Sequence, residues 1–231
     1  MTQPTTPITP RSHYYVLLDR SGSMESMRTE VISGFNHLLG EQQANGKDAR
    51  MTLVQFDSED AHEVLTDSLP IDKVRKLSKR TFVPRSCTPL LDATGRIITK
   101  ATERENERSK HGKRAEAITV VTITDGMENQ STEYGRKEIL RLVKERDARG
   151  WTFVFLGAGL DAYGEAGAMG YDPRSVQAWA PDGAGAGVAF RSLSAAMVRQ
   201  RQDIREARPV DNLDFFDGDK PAEDDRNRRN R

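Results

Sequence analysis

The sequence predicts an α/β fold: a central, mostly parallel sheet with one antiparallel edge strand, and helices on both faces. Three observations carry that prediction. The apolar runs HYYVLL (13–18), MTLVQF (51–56), ITVVTIT (118–124) and WTFVFLG (151–157) are nearly continuous, as strands buried on both faces are. Segments between them carry apolar residues at helical spacing. The two kinds of segment alternate along the chain, which favours strand–helix–strand units and parallel pairing.

The elements follow in order. HYYVLL is the first strand. From Met27, the residues Val31, Phe35, Leu38 and Leu39 paint one face of a helix, and Asn45-Gly46 supplies its stop signal. MTLVQF is the second strand. HEVLTDS (62–68), shorter and more polar, reads as the edge strand, joined to it through DSED. The stretch 90–105 is a helix with Leu91, Thr94, Ile97, Ile98 and Ala101 on one side. ITVVTIT is a central strand. The segment 133–150 is amphipathic through Ile139, Leu142 and Val143 and stops at Gly150. WTFVFLG is the next strand. A short helix is expected over 161–169, a last strand over 175–180 and a last helix over 188–204.

One domain is expected over 13–208, between a disordered N-terminal segment (1–12) and a flexible charged tail (209–231). The 35 basic and 35 acidic residues cancel, which argues against a dedicated nucleic-acid partner. No apolar run approaches the roughly 18 residues that span a bilayer, so no membrane partner is expected. MTQPTTPITPRS lacks the basic-then-apolar pattern of a secretory signal. A single cysteine, Cys87, excludes an intrachain disulfide. Together these suggest a cytoplasmic protein.

In a doubly wound sheet, ligands bind beyond the carboxyl ends of the strands. Three loops there carry short-reach oxygen donors: Asp19-Arg-Ser21-Gly-Ser23, Ser86-Cys-Thr88-Pro, and Thr124-Asp125-Gly126. Taken singly, each suits a helix start. Taken together, two carboxylates and three hydroxyls at one sheet edge would repel or lose hydration unless a cation joined them. Hard oxygens without thiol or imidazole suit magnesium, manganese or calcium, not zinc.

The set Asp19-x-Ser21-x-Ser23, Thr88 and Asp125 resembles the metal-ion-dependent adhesion site (MIDAS) of von Willebrand factor type A (vWA) domains, also called the integrin I-domain fold. The resemblance covers roughly 13–205, and its motif is complete. "SGSM" and "TDGMEN" look most like intracellular bacterial members. The resemblance implies a Rossmann-like vWA fold with no catalysis of its own. It implies Mg2+, with Mn2+ or Ca2+ as alternatives. Ser21, Ser23 and Thr88 would be direct ligands, and Asp19 and Asp125 direct or water-mediated ones. One coordination position would be left for a Glu or Asp carboxylate of a partner protein. Bacterial members often work beside ATPases, kinases or stress-response proteins, so such a partner is implied.

The rival reading is a magnesium-dependent phosphatase or phosphotransferase of the haloacid-dehalogenase kind. That chemistry wants a second aspartate two residues after the nucleophile, and position 21 is Ser. A serine nucleophile lacks its glycine-flanked elbow. His13, His37, His62 and His111 show no ligand spacing, and most are expected at the surface. Gly157-Ala-Gly159 with Gly164 reads as a tight turn, not a dinucleotide loop. The charge-rich run 103–116 is expected to be a solvated helix end and loop. Asp92 reads as helix-start electrostatics or as a tuner of the site, Glu128 as a tuner of charge or a partner contact. Cys87 is expected as a buried, inert thiol.

Overall fold

The computed structural model describes residues 10–159, 161–210 and 214–229. Six strands form one sheet: β1 (Arg11–Asp19), β2 (Ala49–Phe56), β3 (Glu63–Pro70), β4 (Glu116–Thr124), β5 (Thr152–Ala158) and β6 (Val176–Trp179). Their spatial order is β3-β2-β1-β4-β5-β6. All neighbours pair parallel except β2 and β3, which pair antiparallel. The edge strand is therefore where its polar alternation places it. Its register with β2 shifts twice, a bulged irregularity typical of an edge.

Six α-helices accompany the sheet: α1 (Arg28–Ala44), α2 (Leu90–Lys110), α3 (Arg136–Asp147), α4 (Ala162–Ala168), α5 (Gly183–Arg205) and α6 (Pro221–Arg229). Successive residues of β1 feed opposite cores. Tyr14, Val16 and Leu18 pack with α1 and α5 residues such as Phe35, Leu39, Phe190 and Met197. Tyr15 and Leu17 pack with α2 and α3 residues such as Leu91, Ile98, Ile139 and Val143. The sheet is covered on both faces, which is why its central strands read as unbroken apolar runs.

Several boundaries differ from the sequence expectation. α2 continues five residues past 105, because Asn-Glu-Arg-Ser-Lys contains good helix formers even though none is apolar. α5 begins at Gly183 rather than 188. Its glycine-rich start has weak helix propensity, but the Asp182 side chain caps it by accepting from Gly185 N–H at 2.7 Å. Residues 71–82, between β3 and the site loops, carry Ile71, Val74, Leu77 and Phe82 into the core. Of the segment 1–12, Arg11 and Ser12 belong to β1, and 1–9 lie outside the described residues.

The expectation of a flexible tail over 209–231 needs correction where the structure describes it. Phe215, Phe216 and Ala222 are buried in the α1–α5 core, and α6 packs on α5 and β6. Tyr163 hydroxyl bonds Glu223 at 2.7 Å, and Arg229 pairs with Asp182 at 2.8 Å. Two adjacent phenylalanines outweigh the surrounding charge. Residues 211–213, 230 and 231 lie outside the described residues.

Candidate metal centre

β1 and β4 are neighbours, and the chain leaves them toward opposite edges of the sheet. The crevice beyond their carboxyl ends is the topological switch point where ligands of such sheets bind. Asp19 is the last residue of β1, and Thr124 is the last of β4.

Asp19 is fully buried. One carboxylate oxygen accepts from Ser21 N–H at 2.7 Å, and the other from the Thr124 hydroxyl at 2.6 Å. The Ser21 and Ser23 hydroxyls lie 3.1 Å apart, and Ser23 donates to Asp125 Oδ1 at 2.8 Å. Asp19, Ser21, Ser23 and Asp125 thus form one hydrogen-bonded chain from the end of β1 to the end of β4. Thr88 arrives from the third loop. Its hydroxyl oxygen is 3.0 Å from where a Cβ on residue 126 would sit, so a side chain there would crowd Thr88. The structure therefore brings all five residues to one sheet edge.

The hydroxyls do not serve as helix caps. Ser21 precedes a 3₁₀ turn (Gly22–Met27) without capping it, and α2 is preceded by Pro89. Ser23, exposed at the surface, bonds across to Asp125. The two carboxyls are strained in charge. Burial pushes Asp19 up to about 7, against the opposing bonds from Thr124 and Ser21 and with help from nearby Asp125. Burial also pushes Asp125 up, against the Ser23 bond. Positive charge is what this cluster lacks. Among the described residues no group of three or more His, Cys, Asp or Glu has metal-holding geometry, so any cation here relies on the hydroxyls.

The loops are tied together by residues the sequence reading weighed differently or missed. Thr88 N–H donates to Asn129 Oδ1 at 2.9 Å, and Asn129 N–H donates back to the Thr88 carbonyl at 3.2 Å. Glu128 accepts from Leu91 N–H at 2.8 Å and so caps α2. Asp92 accepts from the N–H groups of Thr132, Glu133 and Tyr134, each at 2.9 Å. Asp92 and Glu128 thus hold the Asp125 loop against α2. The signal for Asn129 was an Asx residue in a polar loop after a strand, where such side chains bond backbone N–H groups.

Arg20 turns away from the cluster. It is buried and pairs with Asp57 at 2.6 Å and with Glu63. Arg85 joins the same Asp57 at 3.0 Å. Gly22 N–H donates to the Ser86 carbonyl at 3.0 Å, while Ser86 itself holds a left-handed φ of 57°. Cys87 is exposed, not buried, because Thr88 beside it takes the inward position. Of the four histidines, His13 is the buried one, held in β1 between Glu116 at 2.9 Å and Thr52 at 3.0 Å.

No protein-family model matches the chain, and no curated protein matches it. Solved structures do. The pilus adhesin SpaC of Lactobacillus rhamnosus GG, in its open conformation, superposes with a TM-score of 0.61 at 13% identity, over 84% of this chain and 30% of that one. Proximal thread matrix protein 1 of the mussel byssus superposes at 0.54 and 16% identity, over 79% of this chain and 46% of that one. A von Willebrand factor type A protein of Catenulispora acidiphila superposes at 0.51 and 14% identity, over 82% and 43%. This chain thus spans less than half the length of each of these three structures. Sheet order, the single antiparallel edge, helices on both faces and these superpositions agree: the chain has the Rossmann-like α/β fold of von Willebrand factor type A domains.

Proposed function

We propose that the chain is a divalent-cation-dependent protein-binding module. Asp19, Ser21, Ser23, Thr88 and Asp125 would hold Mg2+, with Mn2+ or Ca2+ as alternatives, in a MIDAS-type site. Bound there, the cation supplies an electron-poor position for a Glu or Asp carboxylate of a partner protein. The chain's own residues set that up. The three hydroxyls are neutral ligands that withdraw little of the cation's charge, and the loops set the direction of approach. Met127, 63% exposed next to Gly126, offers an apolar contact beside the carboxylate.

One observation carries the reading: the Asp19–Ser21–Ser23–Asp125 chain, with Thr88 against the same loop, gathers five oxygen-bearing side chains from three loops. The phosphotransfer reading gains no support. Asp19 is buried, with each oxygen accepting a hydrogen bond, and presents no exposed nucleophile to a phosphoryl group. A proton donor two residues on would have to be Ser21. We also propose a cytoplasmic setting and an ATPase, kinase or stress-response protein as partner, on the resemblance of the motif to bacterial members. Among the described residues no helix is long and apolar enough to cross a membrane.

The test is capture with the full chain as bait, in Mg2+, in EDTA, and in EDTA followed by excess Mg2+. The reading predicts a partner retained only in the first and third conditions and absent from Asp19→Ala bait. A partner retained equally in EDTA would overturn metal-dependent binding.

A further inference from the structure

At the opposite pole of the sheet, where β2 and β4 begin, lies a cavity of about 660 Å3. The 9 residues of β4, rising about 3.3 Å each, put it roughly 25 Å from the candidate metal centre. Behind its lining residues Arg50, Arg104 and Arg108 lies an unusual charge arrangement. Glu116, with its side chain 3% exposed, stands within 4 Å of three guanidiniums: Arg104 at 3.1 Å, Arg108 at 3.6 Å and Arg50 at 3.7 Å. Arg104 takes both carboxylate oxygens with hydrogen bonds, and His13 takes one of them as well. Arg50 and Arg108 reach Glu116 only as looser ion pairs, beyond hydrogen-bond distance. Arg50 instead donates to the neutral Ser68 carbonyl at 2.6 Å, and Arg108 to the Arg114 carbonyl at 2.5 Å. The Nε–H groups of Arg50 and Arg108 are buried and bond nothing. Such buried donors can be satisfied by a bound acceptor.

The remaining wall does not supply one. Asp67 is taken by Lys100 at 2.7 Å, and Glu107 by His111 at 2.7 Å. Lys113 adds a third cation on the exposed rim. Glu103 and Glu107 oppose an incoming anion, while the charge of Asp67 is met by Lys100. The volume falls in the range of about 300–1,000 Å3 of small-ligand sites and is too small for a macromolecule.

We propose that this cavity binds a small phosphate-bearing anion, held by the guanidiniums of Arg50 and Arg108 with Lys113 at the rim. Guanidiniums bind phosphate oxygens in fork geometry, and two of them without a hydrogen bond to any carboxylate fit a phosphate or pyrophosphate group. The proposal is independent of the metal reading.

The test is calorimetric titration of the full chain in excess EDTA with inorganic phosphate, pyrophosphate and ADP, which separates a free from an esterified phosphate. Saturable binding of at least one is expected. Arg50→Gln and Arg108→Gln should each weaken it about tenfold, as loss of one charge-assisted bond does. Glu103→Gln should strengthen it, and Ser21→Ala should leave it unchanged. Lys113→Gln, at an exposed position that does not threaten folding, should weaken it severalfold. No saturation by any probe at about 10 mM overturns the proposal. So does binding that the Arg50, Arg108 and Lys113 variants share undiminished with the parent.

Discussion

Asp19 lies wholly out of solvent at the end of β1, with its oxygens spoken for by Ser21 N–H and the Thr124 hydroxyl. Burial nevertheless lifts its carboxyl from 3.8 to about 7 in the metal-free protein. The folded state therefore holds this proton more tightly than the unfolded chain. In chelator, Asp19 contributes most to stability below pH 3.8, and that contribution is lost as pH rises toward 7. Asp125 acts in the same direction. An asparagine at 19 keeps an acceptor for Ser21 N–H. It can donate to Thr124, whose hydroxyl then turns to the Gly126 carbonyl 3.0 Å away. Asp19→Asn should therefore stabilise the chelated protein at pH 8 by an amount on the order of 3 kcal/mol, and much less at pH 5. Paired thermal melts of parent and variant in EDTA check this, and equal melting at pH 8 would contradict it. Metal binding works against the same proton, so affinity should fall up to about tenfold per pH unit below about pH 7. At this scale the sequence was informative. The donors were legible because hydroxyl and carboxylate types at strand ends are few. The inward turn of Thr88 and the exposure of Cys87 were not, since neighbours in a loop share composition but not direction.

The elements meet through two-way ties between loops and helix α2. Asp92 on α2 holds the loop after β4, while Glu128 in that loop caps α2. Asn129 brackets Thr88 with two bonds. Asn129→Ala would leave Thr88 N–H without its acceptor and free the loop to drift. Metal affinity should drop about tenfold, as losses of supporting residues typically do. Asn129→Asp keeps the acceptor and should retain most of the affinity. Calorimetry on both, at matched folded fractions, separates positioning from mere folding: equal losses in the two variants would contradict the role. The strand assignments were legible because both faces of the sheet are covered. Helix ends were less so. α2 outran its apolar stripe on charged helix formers, and α5 began on glycines that only the Asp182 cap makes helical.

Over the whole molecule, one sheet separates two poles. The carboxyl-end pole gathers carboxylates and hydroxyls, and the opposite pole gathers guanidiniums around Glu116. The chain beyond α5 completes the fold rather than trailing from it. Phe216, 1% exposed, fills the α1–α5 core, and Phe216→Ala should cost about 3 kcal/mol or more. For a chain of this size that lowers the melting temperature by roughly 6 °C or more. A variant melting with the parent would show that this segment is dispensable. The sequence hid this because two aromatic residues sit amid a run of charge, and average polarity outvotes them when a tail is read by composition. Layer architecture, by contrast, was legible from alternation alone, since parallel strands require crossovers. Metal titration of the purified chain probes the first pole. Calorimetry at pH 8 should show one saturable Mg2+ or Mn2+ site, weakened about tenfold or more by Ser21→Ala and by Asp125→Ala. Affinity unchanged in both variants, or no binding by the parent, would contradict it.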